Sequence, residues 1–353
     1  MNKPIREQYF AASNSGDGFY SLFGEIFNPN CLKRVYIIKG GPGTGKNMLM
    51  KKIAAASEEK GLCVVYYYCS SDANSLDGII IDGRVAVIDG TSPHATDTKF
   101  PGAVDEIVDL GVFWSSERLM SGINEIKEVN EEKARLYKYI YSVLSAYKAI
   151  DIANTELIRD KVADEKMSVF AKNLVSGKEG SSYIEKNIFS RSIGMAGDIS
   201  FLTFFEAANE VIEIKDYYGV ANLLLHRIRQ NAISKDLSVK ISYDPINPNK
   251  IDGIFIEDTG LASLLGHLVG ETRDKVVKTV NMRRFVSGFS EEKAKALSIS
   301  RGIQKKIFDN VLSSFEEIKR LHFNLEEIYK GAMDFEGKED FTKKLIKKIE
   351  KDC

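Results

Sequence analysis

The stretch Lys39-Gly40-Gly41-Pro42-Gly43-Thr44-Gly45-Lys46-Asn47 decides the fold of this 353-residue chain. A run of β-forming residues, 34–38, precedes it, and a helical pattern starts at Met48. A buried strand, a glycine-rich turn and a helix N-terminus in this order are the context of a phosphate-binding P-loop. The glycines let backbone N–H groups curl around an anion, and the helix start and the lysine add positive charge. The sequence therefore predicts a nucleoside triphosphate site, with ATP as the ligand, in an α/β fold.

The loop residues each have a predicted part in this site. Lys46 should reach the outer phosphates, because it is the lysine of the motif. Ser or Thr normally follows this lysine and places its hydroxyl on Mg²⁺, whereas this chain has Asn47. An amide oxygen can bind Mg²⁺, but the side chain is bulkier than a hydroxyl, so we predict that phosphate binding persists while Asn47 places the metal less well. The residues expected to contact the nucleotide are Gly40, Gly41, Pro42, Gly43, Thr44, Gly45, Lys46, Asn47 and Met48.

A second motif predicts the other metal ligand. Residues 84–91 give a strand that ends in an acid, Asp89, and a carboxylate at the carboxyl end of a strand can hold Mg²⁺ through water. Asp82 fits the same weak pattern, and a turn aspartate without a function is the plain alternative. We prefer Asp89, because the polar loop that follows it, 90–94, would then lie beside the phosphates. His94 in that loop is a candidate for catalysis or for sensing the terminal phosphate, although such a loop more often holds a structural histidine.

Composition is typical of a globular chain long enough for two domains. The sequence is 44% hydrophobic and 28% charged, and 49 basic residues balance 50 acidic ones, for a net charge of −1. This balance argues against broad electrostatic binding of nucleic acid or of an anionic membrane. Four cysteines lie in neither metal-like nor disulfide-like spacing, which predicts a reducing compartment: Cys31, Cys63, Cys69 and Cys353. No apolar run of signal or membrane-span length follows Met1-Asn2-Lys3-Pro4 or occurs later, so we predict a cytoplasmic protein.

The second half of the chain repeats the first. Residues 72–81 match residues 247–256, and the same offset aligns the segment after Lys46 with an apolar helical segment near residue 223. We therefore predict two lobes, a nucleotide-binding lobe at 1–180 and a degenerate repeat lobe with C-terminal helices at 181–353.

The second copy of the loop lacks the binding residues. It reads Lys215-Asp216-Tyr217-Tyr218-Gly219-Val220-Ala221-Asn222, with one glycine and no motif lysine, and Asp216 would repel phosphate. The sequence predicts that this lobe has kept the fold and lost the nucleotide. Between the two copies, residues 115–175 are nearly all helical in pattern, and we expect an antiparallel helical hairpin packed on the first sheet.

Several segments together resemble a known family. The loop 40–46, Cys69-Ser70-Ser71-Asp72, Ser75-Leu76-Asp77-Gly78 and the segment 88–94 look like an uncharacterised bacterial family of tandem P-loop ATPases. The resemblance implies two tandem P-loop NTPase-like lobes with parallel sheets flanked by helices, long helical hairpin insertions, and ATP and Mg²⁺ as ligands. The family pattern has Ser-Thr where this chain has Asn47-Met48, and a loop of its own in the second lobe. This sequence departs from it at both places.

Three functions are compatible with these motifs. The first is a weak ATPase that uses Lys46 and Asp89 with Mg²⁺. The second is a nucleotide-gated binding or regulatory protein without turnover, engaging a protein partner or a second copy of itself. The third is a small-molecule kinase in which residues 91–100 help to form an acceptor pocket. Arg283 and Arg284 are candidates for an arginine supplied to the site across the lobes or from a second molecule, with a solvated basic turn as the alternative.

Overall fold

The computed structural model describes residues 6–288 and 290–353. Met1–Pro4, which the prediction about signal sequences concerns, lie outside the described residues. The first half contains these strands and helices: β1 (Glu7–Phe10), β2 (Ala12–Ser15), β3 (Gly18–Ser21), α1 (Phe23–Ile26), β4 (Arg34–Lys39), α2 (Lys46–Glu59), β5 (Val64–Tyr68), β6 (Leu76–Ile81), β7 (Val85–Asp89), β8 (Asp105–Asp109), α3 (Ser116–Ser121), α4 (Ile123–Ile158) and α5 (Asp164–Leu174).

Within the described residues, the second half follows the same plan with one helix fewer. Its elements are β9 (Glu185–Ile188), β10 (Arg191–Gly194), β11 (Gly197–Ser200), α6 (Thr203–Ala207), β12 (Glu210–Lys215), α7 (Ala221–Ile233), β13 (Val239–Tyr243), β14 (Ile251–Ile256), β15 (Leu261–Leu265), β16 (Val276–Asn281), α8 (Glu291–Gly331) and α9 (Phe335–Asp352). Each helix in the described ranges is too short or too polar to span a bilayer.

Two six-stranded sheets share one strand order. The first is β1-β5-β6-β7-β4-β8 and the second is β9-β13-β14-β15-β12-β16, so each strand has a counterpart at the same place in the other sheet. The hairpin β2–β3 likewise has a counterpart in β10–β11. The internal repeat therefore extends to segments near the N-terminus of each half, where the sequence comparison had found no match.

The sheets are mixed, which corrects the prediction of parallel sheets. β6 runs antiparallel to β5 and to β7, and β14 does the same between β13 and β15, whereas the remaining pairs are parallel. The reason is the length of the connections. Only residues 82–84 join β6 to β7, and parallel neighbours need a crossover of roughly a dozen residues or more.

Apolar side chains place the sheets face to face, with helices outside. One cluster joins both sheets and contains Ile37, Phe204 and Phe255, so the inner faces of the two halves share a core. Outside the first sheet, a second cluster includes Ile53 of α2 and Leu345 of α9. The outer face of the second sheet is covered by α5 and α7 in the same way.

The long helices pair across the two halves, which corrects the predicted hairpin at 115–175. α4 is a single helix of 36 residues, and it packs antiparallel to the 41-residue α8 from the second half. Their contact is apolar, with Leu144 of α4 and Phe315 of α8 both fully buried in one cluster. The 3.6-residue periodicity of α4 specifies a buried face, but it does not specify which helix covers that face.

Short helices are exchanged between the halves. α5, from the first half, packs on α7 of the second, and α9, from the second half, packs on α2 of the first. Two isolated antiparallel bridges accompany the exchange, Trp114 with Met333 and Val162 with Val286. Because of this exchange, the end of the chain forms part of the surroundings of the glycine-rich loop.

Candidate functional site

The glycine-rich loop lies between β4 and α2, at the carboxyl end of the first sheet. Gly43 and Gly45 have φ of 69° and 76°, which side chains other than glycine rarely adopt. A Cβ on Gly41 would come within 2.9 Å of the Tyr329 ring, and one on Gly43 within 2.6 Å of the carbonyl oxygen of Glu326. The glycines therefore give the loop its curvature and also let α8 approach it closely.

Lys46 lies over the loop and next to an acid. Its Nζ donates hydrogen bonds to the carbonyl oxygens of Gly40 at 2.6 Å and Gly41 at 2.9 Å. The same Nζ is 3.5 Å from Oδ2 of Asp89. The two residues meet because β4 and β7 are adjacent parallel strands, with Ile38 opposite Asp89. The structure thus brings together the lysine and the acid that the sequence singled out.

Asp89 has one carboxylate oxygen engaged and one facing the lysine. Oδ1 accepts hydrogen bonds from the backbone N–H and the hydroxyl of Thr91, at 2.9 Å and 2.5 Å. The alternative acid, Asp82, is exposed in the turn between β6 and β7 and has a φ of 51°. That turn lies at the amino end of β7, away from the loop. Of the two acids, Asp89 is the one that the fold places at the site.

Asn47 holds α2 against the start of β6. Its Oδ1 accepts a hydrogen bond from the backbone N–H of Leu76 at 3.2 Å, and its Nδ2 donates to the carbonyl of Asn74 at 3.3 Å. Asn222 makes the equivalent contact in the second half, where its Oδ1 accepts from the N–H of Ile251 at 2.8 Å. A contact that recurs in a lobe without the motif lysine is a property of the fold.

These contacts decide how well the predicted metal ligands fit Mg²⁺. Oδ2 of Asp89 is a suitable oxygen ligand beside the loop, whereas Oδ1 of Asn47 is already committed to Leu76. Within residues 6–288 and 290–353, no group of three or more acidic, histidine or cysteine side chains could hold a metal by itself. Mg²⁺ would therefore be held by Asp89 together with the phosphates it accompanies.

The other predicted contact residues support the loop. Thr44 is fully buried, and its hydroxyl donates to the carbonyl of Gly41 at 2.8 Å. Pro42 is half-buried in the same turn. Met48 is 57% exposed and lies in the first turn of α2. Backbone N–H groups of a first helical turn have no intrahelical partner, so the N–H of Met48 is the group that would face an anion.

His94 lies in a buried pair with an acid. Its Nε2 is 2.8 Å from Oδ2 of Asp77, and its ring stacks on Phe23 with ring centroids 4.1 Å apart. His267 and Asp252 form a similar pair in the second half, at 3.3 Å. This recurrence gives His94 a packing role and supports the structural alternative over catalysis.

The junction of α8 and α9 contributes residues that the sequence did not single out. Nζ of Lys338 donates to the carbonyls of Thr44 at 2.9 Å and Gly45 at 3.2 Å, and burial lowers the pKa of this lysine. Hydrogen bonds from His322 and Lys330 lower the pKa of Glu326 to about 2, despite its partial burial. These residues are almost 300 positions from the loop, and no local pattern connects the two segments.

Arg283 and Arg284 lie against the second half. The guanidinium of Arg283 is 3.9 Å from the centre of the Tyr217 ring, and that of Arg284 is 5.6 Å from the centre of the Phe170 ring. Stacking on aromatic faces is a common use of arginine. In this structure neither of these guanidinium groups is directed at Lys46.

The second loop contains an anion of its own. The carboxylate of Asp216 accepts hydrogen bonds from four consecutive backbone N–H groups, those of Tyr218, Gly219, Val220 and Ala221, at 2.7–3.1 Å. Backbone N–H groups arranged in this way form an anion-binding nest. A side chain of the protein therefore occupies the nest of the second loop.

Comparison with known proteins adds no relative to these observations. No family model, no curated protein and no solved structure matches this chain.

Proposed function

We propose that the first half of this chain binds ATP at the loop 40–46 and hydrolyses it slowly. The observation that carries the proposal is the pairing of Lys46 with Asp89 at 3.5 Å, at the ends of two adjacent parallel strands. Ligands of open α/β sheets collect at the carboxyl ends of the strands, and a lysine and an acid placed there are the protein groups needed for phosphate and metal.

Nucleotide binding would exchange the contacts that Lys46 now makes. Its ammonium would leave the carbonyls of Gly40 and Gly41 for the outer phosphate oxygens, which are stronger acceptors because they are charged. The N–H groups of the loop and of the first turn of α2 would contact the remaining oxygens. Mg²⁺, when bound, neutralises charge on the outer phosphates, and Asp89 is the residue that would hold it.

Slow turnover follows from the metal ligands. The hydroxyl that normally fixes Mg²⁺ is replaced by Asn47, whose oxygen accepts a hydrogen bond from Leu76. The phosphates and the metal would therefore be held with fewer protein ligands. Positioning and electrostatic stabilisation supply most of the rate in phosphoryl transfer, so a looser metal lowers the rate more than the affinity.

A nucleotide-gated protein without turnover is the second candidate. The observation in its favour is the contact of the α8–α9 junction with the loop, through Tyr329 and Lys338. A nucleotide that shifted the loop would also shift this junction, and with it the end of the α4–α8 pair.

Phosphate release from ATP distinguishes the two candidates. We expect slow release with Mg²⁺ by the wild-type protein and loss of release in Asp89→Asn. Asp82→Asn is the matched control, because it removes the same charge from an exposed turn outside the loop. ATP binding without release, in wild type and both variants, favours the gated protein, and the absence of ATP binding contradicts both candidates.

A further inference from the structure

A cavity of about 490 Å³ lies at the carboxyl end of the second sheet. It is bounded by Asp216 and Gly219 of the second loop, by Asp151 near the end of α4, and by Gly266 after β15. Its volume is within the range of small-molecule sites, and its place is the crevice where ligands of open α/β sheets bind. This cavity is separate from the loop 40–46, where we propose that ATP binds.

The charges around the cavity oppose an anion. Five carboxylates line it, against three side chains with a permanent positive charge; the carboxylates are Asp151, Glu213, Asp216, Asp244 and Asp252, and the cations are Arg191, Lys215 and Lys250. Most of these charges are already paired within the protein. Lys250 is 2.8 Å from Asp151, and Arg191 is 2.6 Å from Asp198. Glu213 is paired with Arg273, and Asp216 accepts four backbone N–H groups. The carboxylate with an unpaired oxygen in this lining is Asp252.

Asp252 contributes an unpaired carboxylate oxygen to this lining. Its side chain is fully buried, its Oδ2 is 3.3 Å from His267, and its Oδ1 has no hydrogen-bond partner in the part of the chain that the structure describes. The unpaired atom is an acceptor, and a buried acceptor without a donor is costly. The cavity therefore needs a ligand that donates hydrogen bonds.

We propose that this cavity binds a small organic cation that carries protonated primary amines, with Asp252 as its main anchor. An ammonium group supplies three donors and a positive charge, which suits an unpaired carboxylate oxygen in an acidic wall. Burial raises the pKa of the nearby Asp244, and Arg191 offsets this only in part. A second positive charge in the cavity would stabilise that carboxylate as well.

Calorimetric titration with spermidine tests the proposal. The protein is Lys46→Ala, without nucleotide, so that the first loop does not contribute. We expect one site per chain at physiological ionic strength. Asp252→Asn keeps the shape of the side chain and removes its charge, and we expect it to weaken binding by about ten- to a hundredfold.

Two further variants keep the test independent of folding effects. A Cβ on Gly266 would meet no atom within 4 Å, so the backbone there tolerates a side chain. Gly266→Phe adds bulk to the cavity wall and should also weaken binding. Asp77→Asn is the matched control, since Asp77 is the buried counterpart of Asp252 in the first half, and it should leave the affinity unchanged.

Three outcomes would overturn the proposal. They are the absence of spermidine binding, an affinity that neither Asp252→Asn nor Gly266→Phe changes, and binding of inorganic phosphate or ATP to the Lys46→Ala protein in competition with spermidine.

Discussion

The carboxylate of Asp216 lies 2.7 Å from the backbone nitrogen of Ala221, the residue that occupies in α7 the position of Lys46 in α2. The second loop has therefore lost the lysine and gained an internal acceptor for the same N–H groups. Because the Asp216 carboxylate belongs to the chain, it needs no lysine to attract it. It also excludes an anion that comes from solution. We therefore expect that, of two halves with one strand order, only the first receives phosphate.

Removing the internal anion should destabilise the protein. In Asp216→Ala four N–H groups lose an acceptor that they share, and a hydrogen bond to a charged group has a net contribution of about 1.5–3 kcal/mol. Because the loop is only half-buried, water can bind to the freed N–H groups and recover part of the loss. We expect a net loss of about 1–3 kcal/mol in urea unfolding. Asp309→Ala, an exposed change on α8, should stay within about 0.5 kcal/mol of wild type. Equal stability of the two variants would mean that water satisfies the nest as well as Asp216 does.

Asn47 and Asn222 should contribute equally to stability, but only Asn47 should affect the metal dependence of ATP binding. Asn47→Ser and Asn222→Ser each shorten the acceptor for a strand N–H, and we expect each to cost about 1 kcal/mol. Asn47→Ser alone places a hydroxyl at the metal position, so chelation with EDTA should reduce its ATP affinity more than it reduces that of wild type. Identical EDTA effects in wild type, Asn47→Ser and Asn222→Ser would show that residue 47 does not contact the metal.

The exchanged helix α9 should contribute to stability and to ATP binding by the first half. Leu345 is 5% exposed and packs in the core outside the first sheet, so Leu345→Ala should cost about 2–5 kcal/mol. We also expect it to weaken ATP binding, because α9 carries Lys338 onto the loop. Met167→Ala in α5 is the matched control for the second half, with a similar loss of stability and no loss of ATP affinity. Equal ATP affinities in the two variants would show that α9 does not contribute to ATP binding.

Acid unfolding should report on the ion pair between buried Glu213 and exposed Arg273 in the second half. Hydrogen bonds from Arg273, at 2.7 and 2.5 Å, lower the pKa of Glu213 to about 2, against a usual value of 4.5. Because the folded-state pKa is the lower one, this carboxylate stabilises the fold above about pH 4.5, and the contribution disappears as the pH falls toward 2.

Urea unfolding across this pH window measures the effect. We expect wild type to lose stability more steeply between pH 4.5 and 2 than Glu213→Gln, which has no proton to bind there. Glu128→Gln, an exposed change on α4, is the control and should follow wild type. Parallel curves for wild type and Glu213→Gln would contradict the assignment.

Local sequence determined much of the fold and the core of the site. The order strand, glycine turn, helix specified β4, the loop and α2, and it specified where Lys46 would lie. Asp89 could be predicted because it lies at the end of an apolar strand. The repeat, at an offset of 175 residues, predicted a second sheet of the same kind. These features depend on neighbours in the sequence.

The parts that sequence reasoning missed depend on distant segments. Nothing near Asn47 indicated that its oxygen would accept from Leu76, although its recurrence as Asn222 was a signal of a structural contact. The approach of Lys338 to the loop follows from the exchange of α5 and α9, and an amphipathic helix carries no mark of the sheet it will cover. The antiparallel direction of β6 follows from the connection at 82–84, which is too short for a parallel crossover.

Calorimetric titration of ATP into wild type and Lys46→Ala tests the central claim most directly. We expect one ATP per chain for wild type, because Asp216 fills the second loop, and a loss of about ten- to a hundredfold in affinity for Lys46→Ala. Lys51→Ala, an exposed lysine on the same helix, should bind ATP as wild type does. Two ATP molecules per chain, or an affinity unchanged by Lys46→Ala, would contradict it.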